Sequence, residues 1–190
     1  MTAQTSSMGL QIVLSRPLIT PSGHTERASR PAGSSITVRR FAPGDIERVV
    51  GFHREIYGSN FPGFVWSEQF ASDFEQALKT ALHSPSEGLF VAESPSRGVV
   101  GFVWVGVSLR SHCRDRIVGV IKDLYVIPEH RGQGLGRSLL YEGERFARAH
   151  SATRVVLEVT TANTAAVALY ESAGYHVERH TMEKPIEGPA

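Results

Sequence analysis

Residues 123–136 read Asp-Leu-Tyr-Val-Ile-Pro-Glu-His-Arg-Gly-Gln-Gly-Leu-Gly, and this stretch decides the fold. Its first half continues a β-rich run over 116–127 that stops at Ile127-Pro128. Its second half, Arg131-Gly132-Gln133-Gly134-Leu135-Gly136, opens a helical pattern over 134–150. A strand, a glycine-rich turn and a helix in that order suit an anion. The first amides of a helix lack internal acceptors, and the helix dipole adds positive character there. Glycines let the backbone approach a ligand closely. An ATP-type phosphate loop is excluded, because the required Gly-Lys-Ser/Thr is missing. The dinucleotide fingerprint does not fit either, because this turn comes late instead of following a first strand.

A second constellation follows. Strand-like residues 154–160 carry Leu157-Glu158-Val159, and a helical stretch over 163–173 carries Asn163, Ala166, Leu169 and Tyr170 before Gly174-Tyr175. Asn163 and Tyr170 are seven residues apart and are expected on one helix face, with small Ala166 between them. Gly174 stands where helices commonly end. One amide and one phenol are therefore expected to face a groove beside the strand carrying Glu158.

Upstream, residues 36–41 read as a strand and 45–57 as a helix. An aromatic, turn-rich loop follows, and 66–82 reads as a second helix with Phe70, Phe74, Ala77, Leu78 and Ala81 on one stripe. β-rich runs occupy 88–93, 99–109 and 116–127, with a hairpin loop at 110–115. A last strand is expected over 175–186. The order βααβββαβαβ indicates a mixed α/β domain, with a six- to seven-stranded sheet flanked by helices.

Residues 121–175 resemble the acetyl-CoA-binding core of the GNAT superfamily of N-acetyltransferases. Asp123-Leu124-Tyr125-Val126 with Arg131-x-x-Gly134-x-Gly136 is similar to its pyrophosphate-binding motif. Asn163-x-x-Ala166-x-x-Leu169-Tyr170-x-x-x-Gly174-Tyr175 is similar to its second motif. The resemblance extends over about 150 residues and implies acetyl-CoA as co-substrate, with no metal. It implies that backbone groups of Leu124, Tyr125 and Val126 pair with the pantetheine arm. Amides from Gly132, Gln133, Gly134, Leu135, Gly136 and Arg137 would hold the pyrophosphate, and Arg131 would add charge. It also implies that Asn163 bonds the pantetheine beside Ala166, and that Tyr170 serves as general acid near the sulfur.

Amine acetylation needs a neutral nitrogen, and a lysine-type amine has a pKa near ~10.4, so a base must take a proton. The developing oxyanion needs a donor, which a backbone N–H can supply. Glu158 and Asp123 are the two base candidates, with Glu158 favoured. Glu158 is expected inside an apolar strand, in the position of a proposed base in the ribosomal-protein alanine N-acetyltransferase branch. Asp123 matches an acid in polyamine-type members. Acceptor contacts are expected from Phe61, Phe64 and Trp66, which suit an apolar or a cationic amine. The alternative is a non-catalytic acyl-CoA-binding sensor or scaffold. The loop 110–116 reads as solvated, His53 and the other histidines read as surface or core residues, and Cys113 reads as an incidental loop residue.

Composition agrees with one globular domain: 190 residues, 41% hydrophobic and 21% charged. A single cysteine excludes an internal disulfide and fits a reduced, cytoplasmic compartment. No apolar run approaches the ~18 residues of a membrane span. Residues 1–35, rich in Ser, Thr, Pro and Gly, read as a disordered extension carrying no chemistry, and 36–190 as the N-acetyltransferase domain. Arg16, Arg27 and Arg30 against Glu26 give the extension its positive charge, so 36–190 holds 17 basic and 18 acidic residues. That balance speaks against a nucleic-acid partner. The expected partner is an amine on a small molecule or a peptide. The chain is expected to offer only one strand after the second motif, which leaves a strand place open. A homodimer through the C-terminal strand is expected to fill it, as in some aminoglycoside-acetylating members.

Overall fold

The computed structural model describes residues 11–18, 36–60, 63–109 and 117–182. Seven strands and four helices follow one another as β1 Gln11–Pro17, β2 Thr37–Arg40, α1 Ile46–Asn60, α2 Glu68–Leu82, β3 Glu87–Ser94, β4 Gly98–Leu109, β5 Ile117–Val126, α3 Leu135–Ala149, β6 Arg154–Thr160, α4 Thr164–Ser172 and β7 His176–Thr181. The strands form one sheet in the order β2-β3-β4-β5-β6-β1-β7. All neighbours are antiparallel except β5 and β6. The expected alternation of strands and helices over 36–182 is present.

Local chemistry sets the helix boundaries. Ser67 Oγ accepts from Phe70 N–H at 3.1 Å and caps α2, whose Phe74, Leu78 and Ala81 are buried. Helix α3 buries Leu135, Leu139, Leu140, Phe146 and Ala147. It lies so close to the sheet that a Cβ on Gly119 of β5 would meet Ala147 Cβ at 2.5 Å. Before α1, Asp45 accepts two hydrogen bonds from the Arg39 guanidinium, and Arg39 also binds Glu93. Burial alone would raise the Asp45 carboxyl, but the bonds from Arg39 and the Ala42 N–H carry it below its ordinary value.

The expectation of a disordered extension fails for Gln11–Pro17. Residues 11–17 pair with all seven residues of β6 on one side and with β7 on the other. Leu14 and Ser15 have no exposed surface. Arg16 donates to both oxygens of Glu144 on α3, at 3.1 and 3.0 Å. Glu144 is 4% exposed, so β1 supplies the counter-charge of a core carboxylate. The sequence signal is the short apolar patch Leu10, Ile12, Val13 and Leu14, too short by itself to announce a strand. β1 also fills the strand place beside β6, which removes the reason for expecting a homodimer there. The rest of the extension, residues 1–10 and 19–35, lies outside the described residues.

Candidate active site

Parallel pairing of β5 with β6 covers only Val118–Ile121 against Arg154–Leu157. Both strands continue, β5 to Val126 and β6 to Thr160, and they do so without pairing. The sheet therefore splits at the carboxyl ends of its two parallel strands, where open α/β sheets bind ligands. Lys122 to Val126 have no β6 ladder on that side. Apart from the Val126 carbonyl, which Arg131 engages, their backbone groups on that side are available to an extended, amide-bearing ligand that adds as a strand would.

A bulge lies at the split. Val105 faces Ile121 and Trp104 faces Asp123, which leaves Lys122 as the extra residue. Ile121 points toward α3, its Cδ1 lying 3.0 Å from where a Cβ on Gly143 would stand. Strict alternation would send Asp123 to that same side. The extra residue reverses the alternation, and Asp123 faces His53 of α1. Lys122 turns to Glu87, at 2.6 Å, and lies over the Trp104 ring.

The glycine-rich turn has the conformation its sequence suggests. Gly132 and Gly134 adopt φ of +73° and +79°, where a side chain would be strained. Gly134 is the N-cap of α3 and supplies no side chain to it. The first amides of α3 are therefore left for an anion. Leu135 is buried, and Gly136 approaches α4 so closely that a Cβ would lie 3.1 Å from Leu169 Cδ2. Gln133 Nε2 donates to the Glu129 carbonyl at 3.2 Å. Arg131 is partly committed. Its Nε donates to the Val126 carbonyl at 2.8 Å, and its guanidinium stands 5.3 Å from the centre of the Tyr125 ring. Arg137 donates to Ser172 of α4 through the carbonyl and Oγ. Leu124 is half-buried, while Tyr125 and Val126 are buried. Burial, and then Glu55, which accepts from the hydroxyl, push Tyr125 up to about 12.

Asn163 is not within the helix. It is the N-cap of α4, where its Oδ1 accepts from Ala166 N–H at 3.2 Å. The expectation that Asn163 and Tyr170 share a helical face is thus replaced: Asn163 fixes the helix start, and half-buried Ala166 begins the face that leads to Tyr170. Tyr170 is 7% exposed. Burial, and then the negative charge of Asp123, push its hydroxyl well above the ordinary tyrosine range. The phenol accordingly keeps its proton at any physiological pH and can donate it.

The two carboxylates sit differently. The Asp123 side chain is 15% exposed, and its Oδ1 lies 3.7 Å from His53 Nδ1. Its charge is also felt by Tyr57, which burial first and Asp123 second raise above the ordinary value. Glu158 is exposed on β6, in register with Val13 of β1. It lacks the apolar enclosure that its place in the sequence suggested.

Beyond Asp123 lies a wall of rings. Phe74 stacks on His53 at 3.5 Å, Tyr57 lies 4.7 Å from it, and Trp66 meets it edge-on at 6.0 Å. Phe70 lies 5.1 Å from Trp66 and 5.0 Å from Phe64. Phe64 is 38% exposed, and Trp66 is half-buried. The expected acceptor residues Phe64 and Trp66 thus join the Asp123 neighbourhood through Phe70 and His53. Phe61 lies outside the described residues, as do the loop 110–116 and Cys113. The sequence does not mark His53 and Tyr57 of α1 or Phe70 and Phe74 of α2 for this site, since helical spacing alone does not say which face meets a carboxylate. Among the described residues no cluster of His, Cys, Asp or Glu could hold a metal, and no helix is long and apolar enough to cross a membrane.

The model of the acetyltransferase (GNAT) family matches residues 51–175. Mycothiol acetyltransferase of Thermobispora bispora is 34% identical over 161 residues, which cover 84% of this chain and 51% of that protein. Streptothricin acetyltransferase of Streptomyces lavendulae is 29% identical over 75% of this chain and 82% of its own length. The chain spans about half the length of the mycothiol acetyltransferases it matches. Among solved structures, a Pyrococcus furiosus protein provisionally described as an acetyl transferase superposes with a TM-score of 0.65 at 30% identity, over 80% of this chain and 99% of that one. An aminoglycoside N-acetyltransferase, AAC(6')-Iy, solved with CoA, has a TM-score of 0.67 at 16% identity, over 82% of this chain and 97% of that one.

Proposed function

The chain belongs to the GNAT acetyltransferase family, and from that premise we propose that it transfers an acetyl group from acetyl-CoA to a primary amine by direct attack. The observation that supports this reading is Asp123 on β5 beside the split, 3.7 Å from His53, with a buried Tyr170 whose hydroxyl burial and the Asp123 charge keep protonated. Bound acetyl-CoA supplies a thioester whose acyl carbon accepts the amine nitrogen. The freed backbone of Leu124 to Val126 receives the pantetheine, and the amides at Gly134 to Arg137 receive the pyrophosphate. Arg131 ties the loop to β5 and lends it charge. Asn163 sets where α4 begins, and so where Tyr170 stands.

In this reading Asp123 takes a proton from the acceptor ammonium. A β5 backbone N–H donates to the developing oxyanion, and Tyr170 gives its proton to the departing sulfur. Asp123 is preferred to Glu158 as base because it is the carboxylate whose charge reaches Tyr170. Phe64 and Trp66 would hold the acceptor, with the cationic amine drawn to their ring faces. The acceptor class is an amine carried on a small molecule, in keeping with the names of the mycothiol, streptothricin and aminoglycoside acetyltransferases.

A panel of amines assayed by thiol detection of released CoA tests the proposal. At least one small cationic amine should support turnover well above hydrolysis. Tight binding of acetyl-CoA with no CoA release from any amine would favour the non-catalytic sensor instead.

A further inference from the structure

A buried imidazole stands beside the proposed base and takes no part in the transfer described above. His53 is 5% exposed, and its Nδ1 has no hydrogen-bond partner among the described residues. A histidine used only for packing would be better replaced by phenylalanine, because an unpaired buried nitrogen is costly. The ring is held in one orientation. Phe74 is parallel to it within 3°, and Phe70 is parallel within 11° at 5.7 Å. In that orientation Nδ1 is directed at Asp123 Oδ1, 3.7 Å away. The separation is slightly longer than a hydrogen bond, and catalytic contacts often tighten when substrate binds.

We infer that His53 is a positioning residue, whose Nδ1 accepts a hydrogen bond from the Asp123 carboxyl once the amine's proton has arrived and so holds the protonated carboxyl at the split. The inference rests on Asp123 as base. The step balances: an amine N–H bond breaks, an Asp123 O–H bond forms, and that O–H then donates to the Nδ1 lone pair, with the imidazole proton on Nε2. The other titratable groups facing Asp123 are Tyr57 on α1 and Tyr170 on α4, both raised and protonated. Helix α2 brings only Phe70 and Phe74, and Lys122 beside Asp123 is turned to Glu87.

His53→Phe keeps the ring stack and removes the nitrogen. It should lower kcat roughly tenfold, as expected for one coupled polar contact, with the KM for acetyl-CoA unchanged. The double variant with Asp123→Asn should be no slower than Asp123→Asn alone, and His53→Asn should recover part of the loss. Wild-type turnover in His53→Phe, or full additivity in the double variant, would overturn the inference while leaving the base assignment standing. Full turnover in Asp123→Asn would instead remove the base assignment, and this inference with it. Should His53→Phe melt early, His53→Leu carries the same comparison.

Discussion

The two halves of the proposed cleft, one for the cofactor and one for the acceptor, are built from different material. The cofactor half is mostly main chain: two diverging strands, a turn with two positive-φ glycines, and the first amides of α3. The acceptor half is side chains brought from α1, α2 and β5, with residues 53, 57, 70, 74 and 123 packed into one neighbourhood. Main-chain sites tolerate many sequences provided the turn can form. Side-chain sites carry specificity and change with each substitution. A cleft made this way can keep one donor while its acceptors diverge.

The largest expected effect lies where the halves meet. Asp123→Asn should lower turnover by ~10²- to 10⁴-fold, the usual range for a general base. Glu158→Gln should cost far less, and the reverse ranking in steady-state kinetics would move the base to β6. Tyr170→Phe comes next, with a loss of roughly 10²-fold in kcat and little change in acetyl-CoA affinity by calorimetry. The wild-type rate should also show no fall near pH ~10, where an ordinary tyrosine loses its proton, because Tyr170 is raised beyond that range. A limb at that pH that disappears in the phenylalanine variant would contradict the donor role.

Arg16→Ala tests whether β1 belongs to the domain. It leaves Glu144 buried without its counter-charge. Because Arg16 is itself 38% exposed, the expected loss of stability is about 2 kcal/mol, less than for a fully enclosed pair. An unchanged denaturation midpoint would show that β1 contributes pairing alone. Gly134→Ala is the mildest. An alanine at φ +79° costs ~1–2 kcal/mol, and because no atom lies within 4 Å of its Cβ, only the backbone should respond. Weaker acetyl-CoA binding with an intact melting temperature for the rest of the fold would locate that strain in the cradle.

The cofactor half was legible because each of its parts is local. Gly132 and Gly134 announce positive φ, the break at Ile127-Pro128 announces a strand end, and the spacing from Asn163 to Tyr170 announces a helix. The acceptor half was only half visible. Phe64 and Trp66 stood out in a turn-rich loop, while His53 and Phe74 looked like any apolar stripe on a helix. Nothing in the spacing from His53 to Asp123 implies contact, since 70 residues, a helix and two strands separate them.

By itself, then, the sequence determined the order of elements, the anion-binding turn, the phenol on α4 and the two carboxylates to be weighed. Tertiary structure gave those carboxylates different surroundings. One bulged residue, Lys122, turned Asp123 toward α1, and exposure set Glu158 apart. It also decided the fate of residues 11–17. Seven residues with one short apolar run cannot hold a strand by local preference, but an open place between β6 and β7 and a buried Glu144 needing a cation supply pairing and charge from far along the chain. Such contacts join residues more than 120 apart, and no local pattern encodes them.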